Sequence, residues 1–235
     1  MQTEAQQLEA FYDSPVGQVA RRLVLQRVRM AWPDLGAQRV LGYGFAAPYL
    51  RSLSGDCERA VALAPAHLGA VRWPQQRSLT ALGEEDAMPF ADSTFDRILI
   101  VHGLETADAF RPLMRQIWRV LTPAGRVLII VPNRASLWAQ VLRSPFAQGR
   151  PFHRGELDRL LRDTMFTPER WDSALYLPPL KSRRLIGTGR NWERMGRALW
   201  PRLAGVHLVE ASKSLYGIAP PEKTGRKKFV LAPQP

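Results

Sequence analysis

The chain has 235 residues, 46% hydrophobic and 23% charged, proportions normal for a folded protein long enough to bury a large core. Its formal net charge is +12, with 33 Lys and Arg of which all but five are Arg, and this points either to an anionic partner (nucleic acid, an anionic membrane surface or an acidic substrate) or to a solvated Arg-rich face. A lone Cys57 excludes an intramolecular disulfide and fits a reducing cytoplasm, and four scattered His give no metal-ligand spacing.

The first ten residues are polar and carry Glu4 and Glu9, unlike a signal peptide, and the longest apolar runs are too short to span a bilayer. From Gln6 to Met30, apolar residues recur at Leu8, Phe11 and Tyr12, then at Val16, Val19, Leu23, Val24 and Val28. This spacing predicts two short helices, or one helix broken near Pro15. Arg39–Tyr43 reads as a short strand, Ala47–Leu53 as a helix, Arg59–Leu63 as a second strand and Ser78–Leu82 as a weak third. Phe95–Val101 is a buried strand and Ala109–Leu121 an amphipathic helix. A turn follows at Leu121–Arg126, then a buried strand through Val131 and Pro132. Two apolar strands joined by one helix make a βαβ crossover, and hence a parallel sheet covered on both faces. Ala135–Leu142 and Arg154–Arg162 read as helices, Arg170–Leu177 as a strand, Asn191–Trp200 as a helix and Val206–Ala211 as a last apolar strand. Pro220–Pro235 is a basic tail in which Lys228–Leu231 could form a short edge strand.

Met88-Pro89-Phe90, then Phe95-Asp96, then Arg119 to Asn133 with its Leu121-Thr122-Pro123-Ala124-Gly125-Arg126 turn, resemble the class I S-adenosylmethionine-dependent methyltransferases of the small-molecule type. The resemblance implies a doubly wound, seven-stranded Rossmann-like α/β sheet, mostly parallel with an antiparallel last strand and helices on both faces. It reads the chain as one domain: a helical segment 1–35, a cofactor-type half 36–133, substrate-side helices with a late strand pair 134–219, and the tail 220–235.

A doubly wound sheet binds its ligand outside the carboxyl ends of the strands. The resemblance places the cofactor's first contact in the turn after the first strand, Val40-Leu41-Gly42-Tyr43-Gly44-Phe45-Ala46. Either Gly44 or Gly42 can be the first family glycine. Both alignments bring Gly42, Tyr43, Gly44 and Ala46 to the crevice, and neither finds the family's acid. The ribose-binding acid falls on Ala64 or Leu63, and losing such a contact costs about 1–3 kcal/mol, or roughly tenfold to a hundredfold in affinity. The acid that would accept from the adenine amino group falls on Glu84, with Glu85 following. His102 and Glu105 follow the fourth strand, at the edge that faces the transferred methyl group in the resembled fold. A His there could deprotonate an acceptor hydroxyl, with Glu105 orienting it. The Gly-, Pro- and aromatic-bearing loop 144–153 suits a substrate-side lid or an ordinary surface loop.

Two functions are expected from these residues. One is methyl transfer from S-adenosylmethionine to a small-molecule or lipid-like acceptor. The other is a methyltransferase-fold protein without catalysis that acts as a binding partner or regulator. The basic segment Lys181, Arg183, Arg184, Arg190, Arg194, Arg197 and Arg202 is compatible with either, as a contact for an anionic partner.

Overall fold

A computed structural model describes residues 3–74, 76, 78–140, 144–178 and 189–214, with the backbone alone at 189–191. Two helices open the chain, α1 (Glu4–Asp13) and α2 (Pro15–Ala31). Thr3 and Gln6 form a capping box at the start of α1, satisfying donors that have no partner within the helix. Ser14 is extended, ends α1, and caps α2 by accepting from the Gly17 N–H. Pro15 at the first position of α2 completes the break.

The sheet contains β1 (Arg39–Gly44), β2 (Arg59–Pro65), β3 (Thr80–Gly83), β4 (Phe95–Val101), β5 (Leu121–Pro132), β6 (Phe166–Ala174) and β7 (Val206–Lys213). Their spatial order is β3-β2-β1-β4-β5-β7-β6. The pairs from β3 to β5 are parallel, while β7 is antiparallel to both β5 and β6. The order reverses between β1 and β4, which is where an open α/β sheet forms its ligand crevice. Successive side chains of the central strands are buried on opposite faces. Val40, Leu99, Val101, Leu128 and Ile130 pack on the α1–α2 side. Leu41, Tyr43, Ile98, Ile100, Val127 and Ile129 pack on the opposite side, with Leu113, Met114 and Ile117 of the crossover helix α4 (Phe110–Val120). This is the period-two pattern of a sheet covered twice. Arg39 grips Asp96 with two guanidinium hydrogen bonds of 3.0 and 3.1 Å, tying β1 to β4 at the edge away from the crevice.

Several boundaries differ from the sequence expectations. The third strand is Thr80–Gly83. The Leu121–Arg126 turn is absorbed into β5 as an irregularity, because Phe95 pairs with Leu121 while Arg97 pairs with Arg126. The strand expected at Arg170–Leu177 runs instead from Phe166 to Ala174. Left-handed Met165 and Leu175 bound it on either side, and Pro168 is tolerated because β6 is an edge strand with a bulge there. The remaining helices are α3 (Ala47–Leu53), α5 (Leu137–Gln140), α6 (Arg154–Asp163) and α7 (Gly189–Leu199), with 3-10 turns at Pro145–Ala147 and Pro201–Leu203. The expected tail strand Lys228–Leu231 lies outside the described residues. Among the described residues, no helix is long and apolar enough to cross a membrane.

Candidate active site at the strand carboxyl ends

The turn leaving β1 is built on Gly44, whose φ is +80°. A Cβ on Gly44 would collide with the Val101 carbonyl oxygen and stand 2.8 Å from the backbone of Gly103. The next N–H, of Phe45, donates to Val101 O at 2.7 Å. The turn therefore lies directly on the end of β4, an approach and a φ that require glycine. Gly42 has a different reason. Its Cβ would stand 2.6 Å from Leu50 and 2.7 Å from Ala46, so the glycine lets α3 seat against β1. Ala46, expected in the crevice, is buried at the start of α3.

Tyr43 is fully buried, and its hydroxyl finds no hydrogen-bond partner among the described residues. Burial, with Glu85 and Glu84 nearby, pushes its phenol far above the usual range. Ala64 is buried in β2 beside Leu82 and offers no side-chain acceptor. Beyond it the chain turns back, and Leu68 O accepts from the Ala5 N–H at 3.0 Å, seating the first turn of α1 on this loop.

The two acids after β3 separate. Glu84 is exposed and bridges to Ala87. Glu85 turns inward, where Oε2 accepts from the Ala109 N–H at the start of α4, 3.2 Å away. Its Oε1 lies 3.9 Å from His67 Nδ1 but has no hydrogen-bond partner among the described residues. Nothing in the sequence distinguishes His67 from a surface His.

At the end of β4, His102 and Glu105 come together. His102 sits in the left-handed region, with φ +50°, and this directs its ring back across the strand end. Its Nδ1 is 3.0 Å from Glu105 Oε1, and its Nε2 is 2.8 Å from the Tyr12 hydroxyl. The Tyr12 hydroxyl is in turn 3.1 Å from that of Tyr49. With Glu105 accepting from Nδ1–H, Nε2 is left as the acceptor, an assignment that follows from the hydrogen-bond network. All four residues are buried. Phe146 covers the His ring at 5.0 Å, and Phe45 stacks on Tyr12 at 5.8 Å. Burial drives the Tyr12 phenol well up, with Tyr49 and Glu105 adding to the shift, so it stays a neutral donor. Loop 144–153 closes the far side. Arg150 N donates to Glu105 O at 2.7 Å, and Gly149, with φ +70°, passes too close to that carbonyl for any Cβ.

Tyr12 and Tyr49 carry no mark of this site in the sequence, while Phe146 belongs to the 144–153 loop expected as a possible lid. In the sequence Tyr12 is one more position on the apolar stripe of α1. In the basic segment, Lys181, Arg183 and Arg184 lie outside the described residues, as does the Arg190 side chain. Arg197 pairs with Asp172 at 3.2 Å.

This sheet order, with an antiparallel β7 inserted between β5 and β6, defines the Rossmann-like fold of class I methyltransferases. Residues 41–129, from β1 into β5, match the family model described as a methyltransferase domain. A Thermotoga maritima structure described as a possible histamine N-methyltransferase superposes with a TM-score of 0.60 at 17% identity, covering 87% of this chain and 93% of that one. The [4+2]-cyclase SpnF superposes with a TM-score of 0.59 at 16% identity, covering 85% and 84%. A curated relative, the ubiquinone/menaquinone biosynthesis C-methyltransferase UbiE of Klebsiella pneumoniae, is 44% identical over 45 residues. That match spans 19% of this chain and 18% of UbiE.

S-adenosylmethionine is the cofactor this fold implies, and the residues offer it polar partners at one of three anchoring points. At Gly44 the space a Cβ would take is filled by the Val101 carbonyl and the Gly103 backbone, so this glycine is accounted for within the fold. The orphaned Glu85 Oε1 and Tyr43 hydroxyl are buried polar atoms of the kind a ligand or water would satisfy. At the third point, Ala64 leaves the ribose hydroxyls without a carboxylate.

Proposed function

We propose that this protein transfers a methyl group from S-adenosylmethionine to a small-molecule or lipid-like acceptor that presents a hydroxyl, with His102 as general base. The observation that carries this reading is the buried Glu105–His102 pair at the end of β4, whose Nε2 already meets a hydroxyl at 2.8 Å. When bound, the cofactor supplies an electrophilic methyl group on a sulfonium. The Gly44 turn, Tyr43 and Glu85 would hold it, the missing ribose acid being offset by backbone contacts. His102 Nε2 would take the acceptor's proton, and Glu105 would hold the ring's tautomer and stabilise the imidazolium that forms. The contribution of such a base is about 10²–10⁴-fold, the remainder coming from alignment in a closed site. The Tyr12 hydroxyl occupies the place an acceptor hydroxyl would take, so α1 must lift to admit the acceptor. A reducing cytoplasmic setting is consistent with the single free Cys57.

The second reading, a binding protein or regulator on the same fold, is favoured by Ala64 and by the burial of His102 beneath Tyr12. Calorimetric titration with S-adenosylmethionine and S-adenosylhomocysteine separates the two. Micromolar binding that survives His102→Gln, while turnover falls by at least about 10²-fold, is the expected result. Absence of heat and of thermal stabilisation at millimolar ligand would leave the binding-protein reading.

A further inference from the structure

Five of the large apolar side chains left exposed lie in one region. Met195, Leu199, Trp200 and Leu203 are 47, 60, 47 and 50% exposed, and Leu137 is 55% exposed. Leu137, Trp200 and Leu203 share the rim of one hollow of about 190 Å3. The local sequence explains the arrangement. Glu193 and Gly196 face inward on α7, with Gly196 so close to Tyr176 that a Cβ would stand 2.7 Å from the ring. Met195 and Leu199 are four residues apart and form an outward row. Pro201 stops the helix, and the following 3-10 turn brings Leu203 N to 2.9 Å from Trp200 O.

The fringe of this patch is cationic. Arg194, Arg197 and Arg202 are exposed beside it, and Arg197 shares its charge with Asp172. The one acid between residues 189 and 205 is Glu193, which is buried and accepts from the Tyr176 N–H at 2.8 Å. The outward surface of this segment thus has an apolar centre, an arginine rim and no carboxylate of its own.

Contiguous exposed apolar side chains mark an interaction surface. Leu and Trp rimmed by Arg are the composition of a segment that lies in the plane of a bilayer interface, the apolar groups among the acyl chains and the cations at the headgroups. We propose that the α7 surface, centred on Leu199, Trp200 and Leu203, docks this protein on an anionic lipid bilayer. Charge complementarity selects an anionic surface, and the aliphatic centre selects lipid over nucleic acid, whose phosphates would use the arginines and leave Met195, Leu199 and Leu203 in water.

The test is co-sedimentation of the full chain with vesicles of equal parts phosphatidylglycerol and phosphatidylcholine, against phosphatidylcholine alone. Binding is expected on the anionic vesicles and weakens as salt rises. The exposed double variant Leu199→Ala/Leu203→Ala should lower the partition coefficient at least about tenfold with its melting temperature unchanged. Arg202→Gln should lower it severalfold. No sedimentation with anionic vesicles overturns the proposal. So does sedimentation that salt abolishes but the apolar variant leaves intact, since that is diffuse attraction to a basic chain. Displacement from the vesicles by single-stranded RNA that the apolar variant binds equally well overturns it in favour of nucleic acid.

Discussion

Gly44 and Tyr12 hold the crevice in opposite ways, one by lacking a side chain and one by filling space. Gly44→Ala places a methyl against the β4 backbone at a φ of +80°. It is expected to lose at least about 2 kcal/mol of stability in urea titration. Gly55→Ala, where nothing lies within 4 Å of the new carbon, should stay within about 0.5 kcal/mol of the parent. Tyr12→Phe removes two buried hydrogen bonds at once, leaving His102 Nε2 and the Tyr49 hydroxyl without this partner. A loss of about 1–3 kcal/mol is expected, read as a lower urea midpoint. The same variant frees the position that the acceptor hydroxyl would take, so turnover should not fall in parallel with stability. Tyr49→Phe should cost less, because His102 keeps its partner.

Strand β7 shows how an element imposes a pH dependence. His207 pairs with Val131 of β5 and Ser173 of β6 in the antiparallel ladders. Burial there, with repulsion from Arg154 and His153, lowers its pKa from 6.5 to about 4. The neutral ring is the form the fold accepts, so the unfolded chain binds its proton first as pH falls. The His207 contribution should be flat above pH 6.5 and decline as pH drops from 6.5 towards 4, by about 3 kcal/mol. Urea unfolding followed across this window checks it, and His207→Gln should flatten that part of the curve. The carboxylate Asp96, held below its usual range first by its side-chain hydrogen bond with Arg39, loses its contribution at lower pH, whereas burial raises the Glu193 carboxyl, so its protonation favours the fold and opposes the His207 loss as pH falls.

In the molecule as a whole, protection should follow the order of strands across the sheet. The strands β1, β4 and β5 are paired on both sides and their side chains are largely buried. The four-residue edge strand β3 has none of its residues fully buried. Amide hydrogen exchange is expected to be slowest in β1, β4 and β5 and fastest in β3. α1 reaches the crevice through Tyr12, and its first turn is held to the β2 exit by one backbone hydrogen bond from Ala5 to Leu68. A cofactor or acceptor that displaces it should raise exchange in Glu4–Asp13 while slowing it in the Gly44 turn.

The fold was legible because it depends on short-range patterns. Uninterrupted apolar runs at Ile98–Val101 and Val127–Val131 mark strands buried on both faces, and the helix between them makes their pairing parallel. The capping residues Thr3 and Ser14 with Pro15 place the helix break through local hydrogen bonding alone. His102 and Glu105, three residues apart, were readable as a pair for the same reason. Tyr12 and Tyr49 were not, because an aromatic on an apolar stripe carries no mark of the hydroxyl or ring it meets 37 or 90 residues away. Glu84 and Glu85 are both acids that follow the third strand, and the turn between β3 and β4 is what sends one outward and the other inward. The strand from Phe166 to Ala174 was displaced in the sequence reading because its ends are set by the ladder with β7, a partner more than thirty residues later in the chain. Propensity and spacing act over a few residues and are written in the sequence, whereas register, burial and the meeting of distant side chains arise when the sheet closes its two cores.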